Sequence, residues 1–463
     1  MKNLIAPLLG ALAALATIGT LSACATVRPV SGEAKPERRQ VTVLYVADLH
    51  AQLRPHPELF WRDGEERIEE AGGFARVAAA IARIRAERGG DVLVLDAGDT
   101  IQGSGEAGLT EGRALIDPLN ALGIDAAVPG NWEVVYGPRA LRERAAELKH
   151  PLIASNLRDG ASGERLFAPY FLESVAGVKV AVVGYTDPDV PRRQPPGYSV
   201  GLRYDGPEEL PSLVREVRET HGADVVLLMS HVGLAKAVGL AEEVKGVDVH
   251  LSGDTHERTY EPIEKEDGSW VVEPGAFGSF LGRLDLWVEN GRVVDRKWEL
   301  IELTASRFPE DPTVAKLVEA AVAPHEAALS AEVGRVDVPL ARYAVVENPL
   351  DNVLADAIRE AGGTEIGLSN GFRFGAPLLP GPVTERELWN LFPIVNKLKT
   401  GKVSGRQLRA FWEQELENVF SRQPEKRFGG IDSLPRRRTE GLQGRAVGED
   451  LPPVLRTQQL ELQ

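Results

Sequence analysis

Cysteine is almost absent: Cys24 is the only one among 463 residues. No internal disulfide can form, which excludes a disulfide-stapled scaffold. Basic charge is in deficit, with 53 Lys and Arg against 68 Asp and Glu and a formal net charge of −15. General nucleic-acid binding wants a basic stripe, so that class is set aside. The acidic balance favours solubility and is silent on fold. After the first two dozen residues no run reaches the ~18 apolar residues of a spanning helix. No internal repeat is visible. What remains, 43% hydrophobic and 26% charged residues, is ordinary globular composition, and the length suggests two or three domains.

The N-terminus is a targeting segment rather than fold. Lys2 is followed by the uncharged apolar run Leu4 to Leu21. Residues 1–23 end in Leu21-Ser22-Ala23 before Cys24, which resembles a bacterial lipoprotein signal. That resemblance implies lipid on Cys24 and a membrane partner through it. Ala25 after the cysteine favours the outer membrane, so the expected place is the cell envelope, facing the periplasm. A cleaved secretory signal or an uncleaved anchor is the alternative. Residues 24–40, rich in charge around Glu37-Arg38-Arg39, read as a polar tether.

From Val41 apolar runs alternate with helical stretches, the mark of an α/β core. Val41–Val46, Asp91–Leu95, Ile124–Val128, Pro151–Ala154, Val178–Val183, Asp224–Met229, Val247–Leu251 and Trp270–Val272 read as strands. Most are nearly unbroken Val/Ile/Leu, as strands buried on both faces are. This domain is expected over 41–303. A linker helix is expected within 304–339, centred on Asp311–Val333. A second, smaller α/β domain is expected over 340–435, with helices near Leu350–Ala361 and Ser404–Phe420 and a strand Glu365–Leu368. Residues 436–463 read as a disordered polar tail.

The strand ends carry the chemistry. Asp48 and His50, Asp99, Asn131, Asn156, His231, and Asp254 with His256 each follow a predicted strand. Oxygen and imidazole donors gathered at the carboxyl ends of strands suit a metal site. Asp48 and His50 are expected to share a side by strand alternation. Asp99 has two oxygens and can bridge two ions. Such a pair of ions can generate a nucleophile at neutral pH. His56, His150, His221, His250 and His325 fit no ligand spacing.

At these residues the chain resembles the calcineurin-like metallophosphoesterases, and within them the bacterial 5′-nucleotidases. The ordered motifs are Asp48-Leu49-His50, Gly98-Asp99, Gly130-Asn131, His231 and Gly253-Asp254-Thr255-His256. The resemblance spans about Val41 to Phe420. It implies a β-sandwich flanked by helices plus a smaller nucleotidase-like domain that looks short at its end. It also implies two divalent ions, Mn²⁺, Zn²⁺ or Mg²⁺. One would be held by Asp48, His50, Asp99 and His256, the other by Asp99, Asn131, His231 and Asp254. Asp99 and Asn131 would serve catalysis, with a metal-bound hydroxide attacking the phosphorus of a nucleotide or related small phosphate ester. Asn348–Asn352, Ser369–Arg373 and Leu391–Pro393 resemble nucleotidase segments; Arg373 and Asn370, with Asn156, would meet substrate. For Asn156 a turn role is the alternative.

Two departures stand out. The family's His–Asp dyad is replaced by Trp132 and Val135, neither of which titrates. The first His of the Gly-His-x-His motif is Asp254, so two divalent ions against three carboxylates leave a net charge of about +1, a weaker draw for a phosphate dianion. Trp132-Glu133-Val134-Val135-Tyr136-Gly137 resembles the thiosulfohydrolases of sulfur oxidation, which implies an alternative substrate: a sulfur group on a carrier protein. A protein that kept its metals and lost turnover is a third reading. Trp132 is expected as a wall of the site and Glu133 as a structural group.

Overall fold

Alternation along Arg39–Val46 sets the architecture. Val41, Val43 and Tyr45 enter one buried cluster, while Leu44 and Val46 enter another. A strand buried on both faces belongs in a sheet covered on both sides. The computed structural model describes residues 37–343, 348–368, 374–394 and 397–422. The segment with Cys24, the pair Asn370 and Arg373, and the tail after 436 lie outside the described residues.

The first sheet has five strands in the order Arg292–Glu302, Phe280–Glu289, Arg39–Val46, Val92–Asp96, Ala126–Ala127. Its last three are parallel, and Phe280–Glu289 runs antiparallel to Arg39–Val46. The second sheet has six, ordered Ile263–Glu264, Trp270–Val272, Val249–Gly253, Val225–His231, Val178–Thr186, Tyr170–Val175. Its four middle strands are parallel. The inner faces meet in one core: Val41, Val43 and Leu95 from the first sheet, Val182, Leu227 and Leu251 from the second. Tyr45 spans the interval, its hydroxyl donating to the Ser252 carbonyl. The outer face of the first sheet packs on helices Phe74–Glu87, Ile116–Leu122 and Pro312–Val322. That of the second packs on Leu210–Arg215 and Leu234–Glu243. The result is the helix-flanked β-sandwich expected from the sequence.

The expected linker helix is not one helix. It runs from Pro312 to Val322, tightens into a 3₁₀ turn at Ala323–His325 and resumes only over Glu326–Leu329. Pro324 lacks the N–H that would continue the ladder. Val314, Val318 and Val322 are buried against the first sheet's outer core, so this helix is part of the N-terminal domain rather than a free spacer. Glu332–Val336, assigned to the linker, is a strand paired with Gly381–Thr384. The second domain therefore begins about eight residues before the expected 340. Its helices Pro349–Gly362 and Gly405–Phe420 lie where expected. Glu365–Leu368 is not a strand: Ile366 and Leu368 are exposed, with no apolar surface to hold them.

Two of the hairpins in the N-terminal domain turn through an Asp-Gly or Asn-Gly pair. His56–Arg62 pairs with Glu65–Ala71 through Asp63-Gly64, and Phe280–Glu289 with Arg292–Glu302 through Asn290-Gly291. All four turn residues have positive φ, as two-residue loops of the I′ kind require.

Candidate metal centre

Loop conformation, rather than strand alternation, aims the donors. The Arg39–Val46 strand ends before Asp48, and Asp48 and His50 adopt φ of 53° and 45°. Asp99, Asp254 and His256 are also left-handed, at 55°, 100° and 60°. Non-glycine residues rarely hold that conformation, and such strain gathers at functional loops. The shared direction of Asp48 and His50 is real, but its cause is this turn. Close approach of two loops also demands glycine. A Cβ on Gly130 would collide with the Asp99 carboxylate, and one on Gly98 with the Gly130 backbone.

Two buried carboxylates hold these loops. Glu133 accepts from the Asp99 and Gly130 N–H groups at 2.9 and 2.6 Å with one oxygen. Its other oxygen takes the Thr100 and Ile101 N–H groups at 2.7 and 3.3 Å. Glu273 accepts from Ser252 Oγ at 2.8 Å, and from the N–H groups of Thr255 and Glu257 at 3.0 and 2.9 Å. Burial first, and then the Asp48 charge, push the Glu273 carboxyl up to about 8.

The donors converge with their lone pairs inward. His50 gives its Nδ1–H to the Gln102 carbonyl at 3.1 Å, and His231 gives its own to the Ala97 carbonyl at 2.6 Å. That leaves each Nε2 as the inward ligand atom. His50 Nε2 stands 3.0 Å from His256 Nε2, and Asp48 Oδ1 lies 3.8 and 3.5 Å from the two. His231 Nε2 is 3.3 Å from Asp99 Oδ2 and 4.0 Å from Asp48 Oδ1. Two adjoining groups result: Asp48, His50 and His256; and Asp48, Asp99 and His231. Both are buried, and imidazole nitrogens and carboxylate oxygens gathered this closely fit a cation between them. Asp99 Oδ2 also lies 3.9 Å from His50 Nε2, so Asp48 and Asp99 both stand between the imidazoles. Burial, then the neighbouring His256, push the His50 imidazole down to about 4, its neutral ligand form. Burial would lower His231 as well, but the Asp99 carboxylate, with Asp48 and Asp254, outweighs it and raises that imidazole. The carboxylates thus call for positive charge at this point.

Asn131 and Asp254 sit beside the second group on different terms. The hydrogen bonds around the Asn131 amide favour Nδ2 inward. With Oδ1 inward it lies 3.2 Å from His231 Nε2. With Nδ2 inward it donates to Asp254 Oδ1 at 3.0 Å and Asp99 Oδ2 at 3.3 Å, while Oδ1 accepts from Trp132 Nε1 at 3.1 Å. Asp254 Oδ1 is 3.7 Å from His231 Nε2. Both Asp254 oxygens, however, accept from Arg193, each at 2.8 Å. Arg193 also pairs with Asp187 at 2.6 Å. The sequence reading missed Arg193: nothing in Val190-Pro191-Arg192-Arg193-Gln194 marks which arginine turns inward. Its charge is shared between the Asp254 and Asp187 carboxylates.

Asn156 takes the turn role. Its amide donates to the Thr186 and Asp205 carbonyls at 2.8 and 3.0 Å and accepts from the Thr186 N–H at 3.0 Å. The geometry corrects the expected substrate role, because both donors are already spent on backbone. Trp132 is a wall of the centre, its ring 4.5 Å from that of His50. Phe374, from the second domain, stacks on Trp132 at 4.8 Å and 26°. Phe277, Val135 and Ile394 close the same apolar cluster. The sequence reading missed Phe374 and Phe277.

Paired sheets with donors at the ends of parallel strands are the frame of a metallophosphoesterase. Residues 41–258 match the calcineurin-like phosphoesterase family, and residues 332–431 match the 5′-nucleotidase C-terminal domain. The chain thus carries a calcineurin-like phosphoesterase domain followed by a 5′-nucleotidase C-terminal domain, an architecture of metal-dependent phosphoric ester hydrolases. It is 27% identical over 424 residues to the trifunctional nucleotide phosphoesterase protein YfkN of Bacillus subtilis. That match covers 82% of this chain but only 28% of the relative's length. Among solved structures it is similar to the sulfate thiohydrolase SoxB of Thermus thermophilus, with TM-score 0.76, 26% identity, and 86% and 82% of the two chains covered. It is also similar to a 5′-nucleotidase precursor from the same organism, with TM-score 0.70, 25% identity, and 84% and 80% covered.

Proposed function

We propose that the chain hydrolyses small phosphate monoesters, nucleoside 5′-phosphates first among them, with two divalent ions. The observation that carries this reading is the meeting of the His50, His231 and His256 Nε2 atoms with the Asp48 and Asp99 carboxylates. Asp48, His50, Asp99 and His256 would hold one ion, and Asp99, Asn131, His231 and Asp254 the other. Bound there, divalent ions supply Lewis acidity and a nucleophile at neutral pH. Gln102 and Ala97 keep the His50 and His231 tautomers in ligand form through their carbonyls. Trp132, Phe277 and Phe374 exclude water from the reacting side. Arg373 and Asn370 are assigned to substrate by their place in the nucleotidase-like segment, where a guanidinium fork suits phosphate. Oxygen-rich ligation leans toward Mn²⁺ or Mg²⁺.

The test is phosphate release from 5′-AMP by the full chain in Mn²⁺, beside Asp99→Ala. Release that vanishes in the variant supports the reading. No release from protein holding two ions defeats it.

A second reading is hydrolysis of a sulfur group from a carrier. By the resemblance, Trp132 takes the place of a proton donor that would assist an alkoxide, and it stacks on the apolar Phe374 ring instead. A thiolate leaves near its ordinary pKa of about 8.5 and needs less help. The envelope location and the lipid on Cys24 are part of the same proposal.

A further inference from the structure

Arg193 and Gln194 grip two of the three donors that belong to the second metal position alone, Asp254 and Asn131. Arg193 takes Asp254 through two parallel hydrogen bonds of 2.8 Å, the geometry of a strong bidentate pair. Gln194 Nε2 donates to the Asn131 carbonyl at 2.7 Å, and the Asn131 amide can give its oxygen to Trp132 and Gln194 instead of the centre. Among the described residues, neither tight donor group includes Asp254. At the first position, by contrast, His50 is fixed by a carbonyl and faces His256, and Asp48 accepts from the Asp254 N–H at 3.2 and 3.1 Å.

The charges are unequal too. Each position shares Asp99. Asp48 stands in both donor groups and carries no guanidinium partner among the described residues. Asp254, by contrast, is held by a guanidinium that is 20% exposed and shared with Asp187. An ion entering the second position meets a fixed positive charge across one carboxylate.

We propose that Arg193 makes the second metal position the weaker of the two, an exchangeable site that fills only as the guanidinium yields Asp254 to the ion. The first position then holds its ion permanently, and the chain answers to the concentration of free divalent metal. The inference rests on the two-ion reading above.

The experiment is calorimetric titration of the metal-stripped full chain with Mn²⁺, with bound metal counted by mass spectrometry and no substrate present. Two steps are expected, the second weaker by on the order of 10-fold or more. Arg193→Gln should tighten the second step by about 10-fold and leave the first unchanged, which also shows that the variant is folded. Arg193→Lys keeps the charge, loses the fork, and should fall between. Two equal steps in the native chain, or a second step weakened by Arg193→Gln, overturn the role of Arg193 while leaving the two-ion reading intact. Uptake of a single ion at saturating Mn²⁺ removes both.

Discussion

Glu133 accepts the backbone N–H of Asp99 at 2.9 Å, so the carboxylate that holds the loop sits directly behind the carboxylate that faces the metals. Glutamine at this position keeps the shape but turns an NH₂ toward two backbone donors. Glu133→Gln should lower stability by on the order of 3 kcal/mol. Metal affinity should fall about 10- to 100-fold. Urea unfolding and Mn²⁺ titration read the two effects; a variant with native affinity would deny Glu133 its positioning role.

Trp132 and Val135 stand where the family carries an acid pair. Trp132→His with Val135→Asp should raise 5′-AMP hydrolysis, on the order of 10²-fold if a proton donor is what limits the reaction. The measurement is kcat at saturating AMP. A fall in kcat with intact metal content would favour the sulfur-group reading.

His250 is buried in the strand Val249–Gly253, and neither ring nitrogen has a hydrogen-bond partner among the described residues. Burial pushes its imidazole down from 6.5 to about 4. The folded form therefore binds fewer protons than the unfolded chain between these values. Stability is full above pH 6.5 and drains as pH falls toward 4, by up to about 3 kcal/mol. His250→Leu should flatten that decline and raise Tm at about pH 5. Thermal melts from about pH 4.5 to 7.5 check it; parallel curves for the two proteins would exclude the assignment.

Cys24 carries the only thiol. Labelled palmitate should enter the chain in a bacterial host that processes lipoproteins, and Cys24→Ala should abolish incorporation and release the protein from the membrane fraction. Unlabelled native protein would leave a plain secretory signal.

Much of this was legible in residues whose chemistry is local. The strand ends announce Asp48, His50, Asp99, Asn131, His231 and His256 because a donor after a buried apolar run has few structural uses. The two hairpins were legible as well, in Asp63-Gly64 and Asn290-Gly291, but passed unread beneath the α/β alternation. Arg193 and Phe374 were not legible. Each reaches the centre through tertiary packing, from the short helix Val190–Arg193 and from the second domain, and no local pattern separates them from surface arginines and core phenylalanines. Asn156 stayed open between two roles for a related reason: a strand-end asparagine looks the same whether it meets a ligand or ties backbone.

The donors come from both sheets. Asp48, His50, Asp99 and Asn131 follow strands of the first, while His231, Asp254 and His256 end or follow strands of the second. Ions held there stitch the seam of the sandwich much as a structural metal stitches a small fold. Any ion that binds only the folded chain adds RT ln(1 + [L]/Kd), about 2.7 kcal/mol at a hundredfold excess over Kd. Under the proposed function, metal supply would govern the lifetime of the protein as well as its turnover, and scarcity would mark idle copies for proteolysis by loosening the two halves from each other.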